Sequence, residues 1–137
     1  MDAVLAQWAP RMLSILRIMT GLLFLEHGTG KLLAFPAAGP PGPALGSLLS
    51  LQGAIEIAGG LLIVLGLLTR PVAFILAGDM AVAYFMGHAP RAIYPLLNGG
   101  DAAILYCFIF LFLFCAGGGP WSIRRDAPPQ ELIKAPR

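Results

Sequence analysis

Arg17, Glu26, His27 and Lys31 lie in Met12 to Phe35, a stretch otherwise apolar enough to be a membrane helix. An ionisable side chain costs roughly 2.5–3.5 kcal/mol at the centre of a membrane helix, so such groups persist where they face a bundle interior and find partners. Glu56 and Asp79, in the next two apolar segments, are the obvious partners. Acids and bases turned toward one another inside lipid can relay protons, or can grip the polar end of a ligand between helices. Glu56, His27 and Glu26 are the candidate proton-handling, catalytic residues. Arg17, Lys31, Asp79, Tyr84, Tyr106, Asn98 and Asp101 are the candidate ligand-binding residues.

Four spans must position these groups. Span one covers about 12–33, preceded by Pro10 and ended by the proline- and glycine-rich run 35–43, which cannot continue a helix. Span two covers 47–68, with Ser47 as N-cap. Thr69-Arg70-Pro71 makes a tight turn, the proline falling early in the next helix where its missing N–H does no harm. Span three, 71–87, is close to the lower limit of about 17 residues for crossing a bilayer. Span four covers 101–116 and ends at Gly117-Gly-Gly-Pro120. The expected fold is an all-α transmembrane four-helix bundle over residues 1–120, followed by a polar cytoplasmic tail, 121–137. The nearest small-x-small run, Ala37-Ala38-Gly39, is hemmed in by prolines and makes a poor signal-peptide cleavage site, so the first helix is read as retained.

Loop charge sets the orientation. Arg11, Arg70, Arg124, Arg125, Lys134 and Arg137 fall on the side shared by both termini, and only Lys31 and Arg91 on the other. Both termini are therefore expected in the cytoplasm, with Trp8 and Trp121 at that interface. Spans two and three are rich in small residues, which let membrane helices approach closely. The phenylalanines of span four alternate and must point at both protein and lipid.

Arg17, Thr20, Phe24, His27 and Lys31 follow 3-4-3-4 spacing and share one helix face. Gln52 and Glu56 share a face of span two; Asp79, Ala83 and Met86 share one of span three. Counting from the cytoplasmic ends at about 1.5 Å per residue puts Arg17 roughly 9 Å deep, Asp79 roughly 12 Å and Glu56 roughly 18 Å. An Arg17–Asp79 pair, with Glu56 one turn above, follows from that count. Arg17 would neutralise one carboxylate and leave Glu56 as a proton carrier within reach of Tyr84 and Tyr106. The alternative is a structural lock, since a buried ion pair can serve only to fix helix register. Asn98-Gly-Gly-Asp101 reads as a capping box opening span four, with exposed amides at the outer mouth as its other use.

The chain is 58% hydrophobic and 12% charged. Soluble domains carry about 25% charged residues, so most of this surface must face lipid. A net charge of +2 gives no footprint for nucleic acid. Cys107 and Cys115 are eight helical residues apart, roughly 12 Å, beyond the reach of about 7 Å that a disulfide needs. His27 and His88 are the only histidines; a pair facing across a bundle is one way to ligate haem. Haem is not the expected cofactor on so little, and Glu26, His27 and His88 are too sparse for a metal site, which takes three or more protein ligands in most cases.

Arg17-x-x-x-Gly21-x-x-Phe24-x-x-His27-Gly28-x-x-Lys31-Leu32, Glu56-x-x-Gly59-Gly60-Leu61-Leu62, Gly66-Leu67-Leu68-Thr69-Arg70 and Asn98-Gly99-Gly100-Asp101 occur in that order. Together, over roughly residues 15–120, they resemble the DoxX family of small four-helix membrane proteins. Asp101 departs from the family pattern, where glutamate is usual. The resemblance implies a bundle in the bacterial inner membrane and a redox context, since named members are linked to quinone-dependent sulfur oxidation and to membrane oxidoreductase complexes. It implies quinone as the cofactor to look for, and a partner protein or a homo-oligomer, since this chain carries no evident electron carrier. Two functions follow: a membrane subunit of a quinone-linked oxidoreductase with a polar site between helices, or a non-catalytic scaffold or assembly factor. A small-molecule carrier is disfavoured by the little room one such unit offers.

Overall fold

The computed structural model describes residues 2–36 and 43–123. Residues 37–42 of the proline-rich loop and the polar tail from 124, with Arg124, Arg125, Lys134 and Arg137, lie outside the described residues. The elements are α1 (Asp2–Leu33), α2 (Leu48–Leu65), α3 (Thr69–Ala83), which runs on into a wide π-helical turn (Tyr84–His88), the short α4 (Pro95–Asn98) and α5 (Asp101–Ala116). Three of these, α1, α2 and α3 with its π-helical turn, are long and apolar enough to cross a membrane; α5 is apolar but shorter.

α5 coincides with the expected span four, and Ser47 is the N-cap of α2, its hydroxyl accepting the Ser50 amide at 3.2 Å. α1 differs. It starts at Asp2, and Pro10 sits inside it rather than ahead of it. Proline's fixed φ is a helical one, and the helix-favouring residues Ala3 to Gln7 carry the helix through the single missing donor. Arg11 lies over the Trp8 ring at 5.2 Å on this extension. The end of α3 differs too: the last turn widens to i→i+5 bonding, with the Ala89 amide on the Tyr84 carbonyl at 2.8 Å.

α1 packs chiefly on α2, and α3 chiefly on α5, with α2 and α3 in lesser contact and α1 and α5 in little. The small residues of span two serve two neighbours, and the closest backbone approach is between α1 and α2. At Gly28 an added Cβ would fall 2.8 Å from the Gly53 carbonyl, and at Gly60 one would fall 3.1 Å from the Gly21 carbonyl. The two glycine pairs sit seven residues apart on each helix, two turns, so they meet in antiparallel register. Gly59 serves the α2–α3 contact, where Leu76 fills its place. Without a hydrophobic drive between helices in lipid, such backbone proximity is what holds them.

The core lies where all four long helices converge. Phe24 of α1 meets Tyr106 and Phe110 of α5 edge-on, at 5.3 and 4.9 Å, over Ile63, Leu76 and Leu113. Outside it the surface is apolar: Leu22, Leu61, Phe74, Phe108 and Phe112 are among the exposed large side chains. Phe110 points inward and Phe108, Phe112 and Phe114 outward, as the alternation of span four requires.

Candidate functional site

Arg17 is fully buried but does not meet Asp79. Its guanidinium turns toward the end of α2: Nη1 donates to the carbonyls of Ile63 and Val64, Nε to Gly118 at 2.8 Å and Nη2 to Trp121 at 3.1 Å. The last carbonyls of a helix have no intrahelical partner and carry partial negative charge, so a cation belongs there. The depth count missed this because it treated only carboxylates as acceptors. Ser14 and Ile123 complete the junction: the Trp121 amide donates to Ser14 Oγ at 3.2 Å, and the Ile123 amide to the Leu65 carbonyl at 3.1 Å. Gly66 must turn back here with φ +68°, and an added Cβ would lie 2.6 Å from Ser122 Cα, so glycine alone fits. Arg17 is thus a clamp on the chain ends of α2 and α5.

At the opposite half of the molecule a cleft of about 790 Å³ opens between the helices. Lys31 of α1 reaches into it and donates to Glu56 Oε1 at 2.6 Å. Glu56 is 1% exposed and the Lys31 side chain 25%, so the acid is the buried member of the pair. Gln52, one turn along α2 from Glu56, lines the cleft too, as do Asp79, Ala83 and Met86 on the α3 side. The shared faces expected for spans two and three therefore converge on one space. Glu56 Oε2 and Asp79 Oδ2 have no hydrogen-bond partner, although both are buried.

His27 lines the cleft with its ring edge-on to Tyr106 at 5.6 Å, and its Nδ1 is 2.9 Å from the Leu23 carbonyl. Tyr106 forms part of the wall but makes no hydrogen bond to Glu56. Tyr84 is set apart. It stacks on His88 and packs where a Cβ at Gly100 would stand, 2.6 Å from its ring. His88 lines the cleft, with Nδ1 3.1 Å from the Asn98 carbonyl. Glu26 is exposed and lines a shallower hollow with Gly30 and Pro36, which shares His27 and Lys31 with the cleft.

Asn98 and Asp101 do not form the expected capping box. Asn98 is buried, accepts the Gly100 amide at 2.8 Å and donates to the Ala92 carbonyl at 2.9 Å. It folds the loop, and Gly100 is the N-cap of α5 with no side-chain bond. The left-handed turn at Gly99 breaks the spacing a capping box needs. Asp101 is exposed in the first turn of α5, where the helix dipole favours an acid. Arg91, read from the sequence only as a loop charge, lines the cleft. No helical period reaches into its loop, so nothing local marked it. Among the described residues no three His, Cys, Asp or Glu side chains gather as metal ligands would.

The walls of the cleft are otherwise apolar: Ile55, Ile75, Met80 and Val82 face it. Leu51, Ile75 and Val82 are exposed on the molecule's outer surface as well as lining the cleft, so it opens sideways between α2 and α3. An acid–base pair at the inner end of an apolar, laterally open cleft suits a lipid-soluble molecule with a hydrogen-bonding head. The sequence pattern of the DoxX family matches residues 12–89, which hold Lys31, Glu56 and Asp79. The chain belongs to the DoxX family. An "Uncharacterized protein" of Haemophilus influenzae is 41% identical, the match covering 84% of this chain and 90% of that one. An "Uncharacterized membrane protein", Rv3486, of Mycobacterium tuberculosis is 31% identical over 88% of this chain and 83% of its own. No solved structure matches the chain. With its apolar helices and exposed apolar surface, this DoxX protein is a multi-pass membrane protein.

Proposed function

We propose that this DoxX protein is a membrane subunit of a quinone-linked oxidoreductase system, with the quinone-class ring held in the cleft beside Lys31 and Glu56. The observation that carries the reading is the buried Glu56–Lys31 pair at the inner end of an apolar cleft open toward lipid. A quinone needs flat apolar walls, polar partners for its two oxygens and a path for protons. Ile55, Ile75, Met80 and Val82 supply the walls. The Nδ1–H of His27 and of His88 is spent on a backbone carbonyl, so each neutral ring keeps Nε2 as an acceptor for a ring hydroxyl, and Glu56, with one oxygen on Lys31 and the other free, can take or give a proton. A bound quinone would supply two-electron chemistry; the electrons come from a partner protein or a bound cofactor, since the residues described hold no carrier of their own. The protein sits in the bacterial inner membrane as four spans, α5 being the fourth, with both termini cytoplasmic. The clamp end with Arg17 then faces the cytoplasm and the cleft lies toward the outer face.

The test is purification in mild detergent, mass spectrometry of bound small molecules, and melting with and without a short-chain quinone. Co-purified quinone, or a quinone-dependent rise in Tm that Glu56→Leu removes, supports the reading. Cofactor-free protein whose melting ignores quinone contradicts it. It would favour a scaffold or assembly role, in which the buried charges only lock helices and the bundle surface holds a partner.

A further inference from the structure

We infer that the cleft selects the reduced, dihydroxy form of a quinone-class ring over the oxidised form, with Glu56 Oε2 and Asp79 Oδ2 accepting its hydroxyl hydrogens. The inference rests on the quinone-class reading above and adds which redox form the site is shaped to hold.

Glu56 of α2 and Asp79 of α3 line the same cleft, and each carries a buried carboxylate oxygen that lacks any donor. Buried polar atoms are almost always hydrogen-bonded, and one left without a partner costs about 1–3 kcal/mol, more when charged. Of the donors that line the cleft, Lys31 Nζ is already on Glu56 Oε1 at 2.6 Å, and those of Gln52, Tyr106 and Arg91 bond neither orphaned oxygen. The cleft therefore offers two acceptors that no protein donor meets. An oxidised quinone presents two carbonyl oxygens, acceptors only, and would place acceptor against acceptor. A quinol presents two O–H donors and satisfies both orphaned oxygens. An organic cation would also donate, but Lys31, Arg91 and two histidines line the same cleft, and beyond the two acids, Gln52 and Tyr106 its wall is apolar. A neutral donor fits that lining and a cation does not.

Glu56→Gln tests this sharply. The amide cannot turn round freely, since its oxygen must face the Lys31 ammonium; its NH2 then replaces the free Oε2. An acceptor becomes a donor, and the preference between redox forms should reverse. The experiment is anaerobic equilibrium binding of decylubiquinol and decylubiquinone to the full chain in lipid nanodiscs. The expected result is quinol at least tenfold tighter in the wild type, quinone the tighter in Glu56→Gln, and a preference cut several-fold in Asp79→Ala. Equal binding of the two forms, or tighter quinone, in the wild type overturns this inference and leaves the quinone-class site standing. Failure of both forms to bind overturns that site and this inference together. A wild-type preference for quinol that survives in Asp79→Ala and in whatever folded Glu56→Gln can be made overturns the two oxygens as its source.

Discussion

Replacing Arg17 by methionine removes four donations to backbone carbonyls in one step, those of Ile63, Val64, Gly118 and Trp121. Interhelical hydrogen bonds in membrane proteins average about 0.6 kcal/mol, whereas bonds from charged donors reach about 1.5–3 kcal/mol in water-soluble proteins. Four bonds from a charged but lipid-embedded donor fall between these limits. Methionine matches the stem and spares the cost of burying a cation, which offsets part of the loss. The Val64 carbonyl is then left without a partner, while Ile63 keeps the Gly66 amide at 3.1 Å. The net expectation is about 3–4 kcal/mol of lost stability. Arg17→Lys should recover less than half, since an ammonium is a point donor and cannot span four carbonyls on two chain segments. The assay is reversible unfolding in mixed micelles followed by far-UV circular dichroism. A double-mutant cycle with Asp79→Ala should show coupling below about 0.5 kcal/mol, because the two side chains share no partner. Arg17→Met within 1 kcal/mol of the wild type, or coupling to Asp79 of about 2 kcal/mol or more, would refute the clamp and restore the ion pair that depth counting suggests.

Lys31→Met leaves Glu56 buried and unpaired and should cost about 3 kcal/mol, while Lys31→Met with Glu56→Leu should recover most of it; unfolding free energies in the same micelles check both. Gly28→Ala should cost about 1–3 kcal/mol because its methyl meets the Gly53 carbonyl, whereas Gly30→Ala, with nothing nearer than 3.8 Å, should be near neutral; melting temperatures separate them. In a background without Cys107 and Cys115, Leu45→Cys should react with a membrane-impermeant maleimide added outside intact spheroplasts. Labelling only after lysis would reverse the proposed orientation.

Much of the helical layout was legible. The α5 limits and the Ser47 cap follow from apolar length, glycine brakes and a hydroxyl at the right place, which are local signals. The start of α1 was not, because Pro10 is compatible with either a helix start or a helix interior. The π-helical turn at Tyr84–His88 is marked by no proline, glycine pair or change of period in the sequence. The shared faces of Gln52 and Glu56, and of Asp79, Ala83 and Met86, identified which side chains line the cleft. Pairing was harder. Lys31 bonds Glu56 and Arg17 bonds carbonyls because long side chains reach a turn or more along the bundle, and backbone acceptors carry no sequence signature. Arg91 enters the cleft from a loop and was out of reach of any periodic argument.

Photoaffinity labelling with an azidoquinone, in membranes and with peptides mapped by mass spectrometry, bears most directly on whether the cleft beside Lys31 and Glu56 is a quinone site. Label should concentrate on peptides carrying Gln52 to Glu56 and Asp79 to Met86, and excess unmodified quinone should protect them. Label spread without protection over lipid-facing residues such as Phe108 and Phe112, with those two segments unmarked, would contradict it.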